Sequence, residues 1–113
     1  MKMLKTILKN LATPKATRLY PKQKREPFAN VRGELVNDID RCIFCSACAL
    51  KCPAKCIKVD REKRIWENDP TICIYCGICS AVCPTKCLYH KSEYRAPSTA
   101  KEYIKQKGAP KKS

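Results

Sequence analysis

Apolar residues recur at helical spacing only near the start of the chain. Met1, Leu4, Ile7, Leu8 and Leu11 fall on one helical face, with Lys2, Lys5 and Lys9 to one side of it, which predicts a short amphipathic helix. At 1.5 Å per residue it would be ~16 Å long, too short to span a bilayer. Pro14, Pro21 and Pro27 then carry the chain onward in extended form. In "CIKVDREKRIWEND" two short strands, Cys56–Val59 and Arg64–Glu67, are expected around a charged turn at Asp60–Lys63. Short helical turns are expected after Cys48 and Cys79. Near the other end, "STAKEYIKQKG" has a capping box at Thr99 and Glu102 and a terminating Gly108, which predicts a second short helix. Such a helix is marginal alone in water and needs something to pack on. "APKKS" reads as a disordered tail. The class is a small α+β unit with extended arms.

A different regularity dominates the middle of the chain. "DIDRCIFCSACALKCP", residues 38–53, returns as "DPTICIYCGICSAVCP", residues 69–84. With residue n laid over n+31, Cys42, Cys45, Cys48, Cys52, Pro53 and Cys56 fall on Cys73, Cys76, Cys79, Cys83, Pro84 and Cys87. Ile43 falls on Ile74, Phe44 on Tyr75 and Ile57 on Leu88. Two copies are too few for a solenoid and argue for a pseudo-twofold domain.

Ten cysteines in 113 residues leave three uses in competition: disulfides, zinc or iron–sulfur clusters. Disulfides need an oxidising compartment. The lysine-rich start has no unbroken apolar run and is not a signal peptide, so the expectation is an intracellular chain with reduced thiols. Zinc sites usually draw pairs of ligands from two separated knuckles, and three cysteines within seven residues fit that poorly. Each run reads C-x2-C-x2-C-x3-C-P, which lets one loop offer three thiolates to a cube of iron and sulfur. In bacterial two-cluster ferredoxins the fourth cysteine ligates the other cluster. By that rule Cys42, Cys45, Cys48 and Cys83 hold one 4Fe-4S cluster, and Cys73, Cys76, Cys79 and Cys52 hold the second. The fold expected is a bacterial-type ferredoxin core whose crossed ligands staple the two halves.

Those eight thiolates satisfy two clusters, so Cys56 and Cys87 read as small buried side chains. Phe44 and Tyr75 are expected against the clusters or in the core. His90 reads as a surface residue rather than a ligand, and Trp66 as a core or interface aromatic. No residue has an evident acid–base or nucleophilic role.

The net charge of +14 divides unevenly along the chain. Residues 1–32 carry nine Lys/Arg against Glu26, a net +8, and residues 91–113 carry seven against Glu93 and Glu102, a net +5. Residues 33–90 sum to only +1, and two clusters of −2 each would bring them to about −3. The chain therefore divides into an amphipathic helix and docking arm (1–32), a two-cluster domain (33–90) and a basic C-terminal arm (91–113). The first helix either lies in a membrane interface with its lysines toward anionic headgroups, or docks into a partner groove, or packs on its own core. The third is disfavoured by the prolines that lead away from it. Basic tails without interleaved aromatics make a poor nucleic-acid platform, so no nucleic-acid partner is expected.

In "RLYPKQKREPFANVRGELVNDIDRCIFCSACALKCP" a Tyr-Pro, a downstream Arg-Gly and the first cysteine run occur in an order that resembles the two-cluster subunit of respiratory complex I. It also resembles that subunit's relatives in membrane-bound energy-converting nickel-iron hydrogenases. "ATRLYP", "REPF" and "KCLYHKSEYRAPS" most resemble the small ferredoxin-like subunit of Ech-type hydrogenases. The resemblance implies a peripheral subunit on the cytoplasmic face of a membrane complex, without catalysis of its own. It implies electrons taken from reduced soluble ferredoxin and passed towards the hydrogenase small subunit and the nickel-iron site of the large one, beside ion-translocating membrane subunits. The alternatives are the equivalent subunit of a complex I or formate hydrogenlyase, and a free soluble ferredoxin.

Overall fold

In the computed structural model, which describes residues 2–109, the internal repeat governs the backbone as well as the sequence. The elements are α1 (Lys2–Ala12), β1 (Leu35–Asn37), α2 (Ala47–Lys51), β2 (Ile57–Asp60), β3 (Ile65–Asn68), α3 (Ile78–Val82), β4 (Leu88–His90) and β5 (Ile104–Lys107). β1 pairs antiparallel with β4, Leu35 opposite His90 and Asn37 opposite Leu88. β2 pairs with β3 in the equivalent register, Val59 opposite Trp66 and Ile57 opposite Asn68. Every residue of the first ladder is thus matched in the second by the residue 31 positions away. The strands expected at Cys56–Val59 and Arg64–Glu67 are present, each displaced one residue towards the C terminus. Their turn closes as Asp60 Oδ1 accepts from the N–H groups of Glu62 and Lys63, both at 3.0 Å. The two short helices enclose Cys48 and Cys79 instead of following them, and they pack on one another.

The C-terminal helix does not form. Ile104–Lys107 is a strand, β5, which pairs antiparallel with β3, Ile65 opposite Lys107 and Asn68 opposite Ile104. The reason is competition. One turn of capping gains little in water, whereas β3 offers an open edge of backbone donors and acceptors. Alternation then decides the faces: Ile104 and Gln106 turn inward and Lys105 and Lys107 outward. Lys105 also reaches Glu67 at 3.4 Å, and Lys101 reaches Asp69 at 2.9 Å. Of the expected capping pair, Glu102 binds Arg95 at 2.7 Å, and beside Thr99 it is Ser98 Oγ that donates to Ala100 O and accepts from Ala100 N–H.

The core is small and lies between the two sheets and the two short helices. Its buried apolar members are Leu35, Phe44, Ile57, Trp66 and Leu88 together with five cysteines. Residues 2–30 contribute nothing to it. α1 forms as expected, yet none of its residues is buried and it touches no other element among the described residues. Met1, assigned to its apolar face, and residues 110–113 of the tail lie outside the described residues.

β5 ends where it matters to the core. Gly108 donates its N–H to Arg64 O at 2.9 Å, and a Cβ at that position would stand 2.6 Å from Cζ of Phe44. Gly108→Val should therefore overpack this corner and destabilise the protein by about 1–3 kcal/mol. Thermal unfolding of the anaerobically prepared variant would register this as a lower midpoint, and an unchanged midpoint would mean that the contact carries no load.

Candidate functional site

Two cavities lie side by side in the core, and cysteine sulfur dominates the walls of both. The first is lined by Cys42, Cys45 and Cys48 from the first run and by Cys83 from the second. The second is lined by Cys73, Cys76 and Cys79 from the second run and by Cys52 from the first. The structure thus brings the eight cysteines into two groups of three plus one, and Cys87 also borders the first cavity and Cys56 the second. All ten cysteines of the chain are free thiols. Among the described residues no three His, Cys, Asp or Glu side chains converge to hold a single metal ion; the thiols surround a space.

The loops achieve this through backbone conformations that side chains seldom adopt. Phe44 and Ser46 have φ of 55° and 66°, and their repeat mates Tyr75 and Gly77 have 53° and 80°. Left-handed residues between successive cysteines turn the loop inward, so that every third position brings a cysteine to the same cavity. Only one of the four is glycine, and local strain of this kind is characteristic of binding loops. Lys55 and Lys86, at 50° and 53°, repeat the device after each Cys-Pro.

Two guanidinium groups brace the loops. Arg61 Nη2 donates to Cys45 O at 2.5 Å and Arg32 Nη1 donates to Cys76 O at 2.7 Å. The two carbonyls are equivalent in the repeat, but the two arginines are not, since one comes from the β2–β3 turn and the other from the segment before β1. No sequence signal marks them, because each bond joins residues that the repeat does not relate. Arg41 adds a third such contact, from Nη2 to Thr85 O at 2.8 Å.

The fourth cysteine of each run is set apart electrostatically. Burial by itself raises the pKa of Cys83, but the Thr85 hydroxyl, Cys87 Sγ and the N–H groups of Cys87 and Leu88 outweigh it and bring the thiol down to about 6. Cys52 is lowered in the same way, with burial opposed by the N–H and Sγ of Cys56 and the N–H groups of Ala54 and Lys55. Cys79, where burial prevails, is pushed up to about 11. Cys48 is also raised by burial, partly offset by the indole N–H of Trp66. The two extra cysteines, Cys56 and Cys87, are buried as expected. Their Sγ atoms lie 3.4 Å from Cys52 and Cys83 respectively, and burial pushes Cys87 up to about 12.

Phe44 is buried on the wall of the first cavity, and Tyr75 is half-buried on the wall of the second. Trp66 is a core residue and also faces the first cavity. His90 departs from expectation: it is half-buried, borders the second cavity and stands edge-on to Tyr75, with centroids 6.4 Å apart. It is drawn inward because β4 pairs with β1, a ladder that the sequence reading did not foresee.

The walls also contain polar atoms without partners. Trp66 Nε1, both amide atoms of Asn37 and His90 Nε2 are buried with no hydrogen-bond partner of good geometry. Buried N–H groups in native proteins are almost always paired. An anionic, sulfur-rich body in the first cavity would be an acceptor for Trp66 and Asn37. The donor set, thiols with orphaned N–H groups behind them, therefore fits a 4Fe-4S cluster.

Comparison with known proteins gives the same chemistry. A family model described as a 4Fe-4S dicluster domain matches residues 20–88. NADH-quinone oxidoreductase subunit I of Bdellovibrio bacteriovorus is 37% identical over 76 residues, covering 61% of this chain and 42% of that one. The protein of the same name from Shewanella woodyi is 37% identical over 75 residues, covering 59% and 44%. This chain thus matches less than half the length of either relative. A chain in the structure of an archaeal membrane-bound sulfane sulfur reductase, a respiratory membrane complex, superposes with a TM-score of 0.71 at 30% identity, over 85% of this chain and 54% of that one. The cofactors are two 4Fe-4S clusters.

The braces give a test. Arg61→Ala and Arg32→Ala should each remove a hydrogen bond contributing about 1 kcal/mol, and each should speed loss of iron several-fold from its own loop. Absorbance decay in the presence of a chelator would measure the rates, and rates equal to that of the unmodified chain would show that the braces are incidental.

Proposed function

This chain belongs to the 4Fe-4S dicluster domain family, and from that premise we propose that it is an electron-relay subunit of a membrane-bound oxidoreductase complex. Cys42, Cys45, Cys48 and Cys83 hold the first cluster, and Cys73, Cys76, Cys79 and Cys52 hold the second. Each half of a pseudo-twofold domain lends its fourth thiolate to the other. One electron at a time tunnels in, crosses between the clusters and leaves to an acceptor in a neighbouring subunit. No bond is made or broken in this chain, so it is not an enzyme on its own. The observation that carries the reading is the grouping of the thiols, three from one run and one from the other, around each cavity.

In the finer reading the complex is an Ech-type energy-converting hydrogenase. Reduced soluble ferredoxin is the donor, and the hydrogenase small and large subunits lie downstream. The motifs "REPF" and "KCLYHKSEYRAPS" support it. The second reading, the equivalent subunit of a complex I-like or sulfur-reducing complex, is favoured by the names of the relatives. The proteins that co-purify from detergent-solubilised membranes under anaerobic conditions distinguish the two. A nickel-iron subunit is required by the first reading and its absence would overturn it.

The three-part division of the chain follows the same reading, with residues 1–32 as docking arm, 33–90 as cluster domain and 91–113 as a basic arm. No helix among the described residues is long and apolar enough to cross a membrane; the attachment in this reading is peripheral, on the cytoplasmic side. Leu4, Ile7, Leu8 and Leu11 of α1 are each more than half exposed, a poor arrangement for a free carrier in water. With Lys2, Lys5 and Lys9 beside them, the occupant that fits is an anionic lipid surface.

Two outcomes are expected. Cys52→Ala combined with Cys56→Ala, so that the neighbouring sulfur cannot substitute, should abolish the second cluster and spare the first. Iron content should fall by about half, from about eight per chain, and electron paramagnetic resonance should retain one of the two signals. Loss of the first cluster instead would reject the crossed ligands. Removal of residues 2–12 should leave the iron content intact and abolish sedimentation with phosphatidylglycerol vesicles. Persistent binding, or binding to phosphatidylcholine alone, would exclude the lipid role, and retention only on membranes that carry protein would assign α1 to a partner subunit.

A further inference from the structure

The repeat that relates the two cavities also shows where they differ. Trp66 on the wall of the first cavity is replaced by Leu35 on the wall of the second, and Thr85 is replaced by Ala54. Trp66 is 1% exposed; its Nε1 has no hydrogen-bond partner of good geometry, but the indole N–H acts on the Cys48 thiol and lowers its pKa. Thr85 Oγ1 lies 3.6 Å from Sγ of Cys83. Asn37 borders the first cavity with an unpaired amide nitrogen, while its repeat mate Asn68 is not part of the second wall. The first cavity thus has an indole N–H and a hydroxyl where the second has the hydrocarbon of Leu35 and Ala54, and its wall includes an amide that the second wall lacks.

The polar side chains lining the second cavity are Tyr75 and His90. The Nδ1 of His90 lies 3.2 Å from Gly33 O, and a carbonyl oxygen only accepts, so in the neutral ring Nδ1 carries the proton and Nε2 has a lone pair and no hydrogen. Arg61 and Arg32 bind equivalent carbonyls, whereas Arg41 on Thr85 O and Arg64 over the Phe44 ring place further guanidinium charge at the first cavity, where their repeat mates are Ile72 and Gly33.

Reduction of a 4Fe-4S cluster adds one negative charge, and donors directed at its sulfurs stabilise the more negative form. We propose that the first cluster, at Cys42, Cys45, Cys48 and Cys83, has the higher reduction potential, so that a single electron held by the pair rests on the first. When it moves there from the second cluster, the second is oxidised by one electron and the first reduced by one, and no proton moves. Coverage acts in the opposite sense, because Phe44 is more deeply buried than Tyr75 and exclusion of water disfavours added charge. Donors at contact distance inside a low-dielectric wall outweigh that difference. The inference rests on the ligand sets proposed above.

Redox titration of the full chain, followed by electron paramagnetic resonance well above the ordinary histidine range, should show two one-electron waves. The variant Cys52→Ala with Cys56→Ala, which keeps only the first cluster, should retain the higher wave. Trp66→Phe, which keeps the ring and loses the N–H, should lower that wave by on the order of tenfold in the reduction equilibrium, ~59 mV for one electron, and leave the other in place. Thr85→Val should move the same wave in the same direction. Retention of the lower wave by the single-cluster variant, or a Trp66→Phe titration that is unchanged or shifted only in the lower wave, would overturn the order while the ligand sets stand. Loss of both clusters from the cysteine variant would overturn the ligand sets themselves.

Discussion

Neither cavity is closed by its own run of cysteines. Three sulfurs come from one loop and the fourth from the other half of the chain, so the halves are joined through whatever the cavities hold. Five of the ten buried apolar side chains of the core are themselves cysteines. A domain of this size has little apolar surface to bury, and here half of its interior consists of the residues that face or back the clusters. Cluster binding and core formation are therefore coupled in the way that metal binding and folding are coupled in other small domains.

The crossing also organises the electrostatics. The fourth cysteines are the two whose neighbouring N–H, S–H or O–H donors outweigh the effect of burial, which favours the thiolate that assembly needs. Cys56 and Cys87 belong to this arrangement. With Cys52 and Cys83 as the proposed ligands, and therefore without protons, the hydrogen in each 3.4 Å sulfur pair would lie on the extra cysteine. The positive charge is held at two levels. Arg32 and Arg61 grip the loops themselves, and most of the remaining net charge lies in the terminal arms.

What the sequence made legible was whatever the repeat encodes. The spacing of the cysteines, the β2–β3 hairpin and the helical turns at Cys48 and Cys79 all follow from local pattern. The β1–β4 ladder was also encoded, because it is the image of β2–β3 under the shift of 31 residues, but Leu35–Asn37 is too short to read as a strand alone. What stayed hidden were contacts that break the repeat. Arg32 reaches Cys76 O across 44 residues, and nothing local to either residue announces it. The segment after Pro97 misled in a more instructive way. Its capping residues are real helix signals, and they lost to an unpaired strand edge that only the folded core provides.

The departures from symmetry set the two halves apart. β3 and β1 occupy equivalent places in the repeat, yet only β3 receives a third strand. That strand carries Gly108 against Phe44 and buries the edge beside Trp66. β1 gains no such cover, and the segment just before it leads to the arm that bears α1. A perfectly symmetric domain would hold two equivalent clusters, and equivalent clusters exchange electrons without preference. Here the C-terminal arm closes the half that contains the indole and hydroxyl donors, while the other half has Leu35 and Ala54 in their places and, among the described residues, no third strand on β1. Covering and polarity are thus distributed together, and the same few residues that break the repeat distinguish a first cluster from a second.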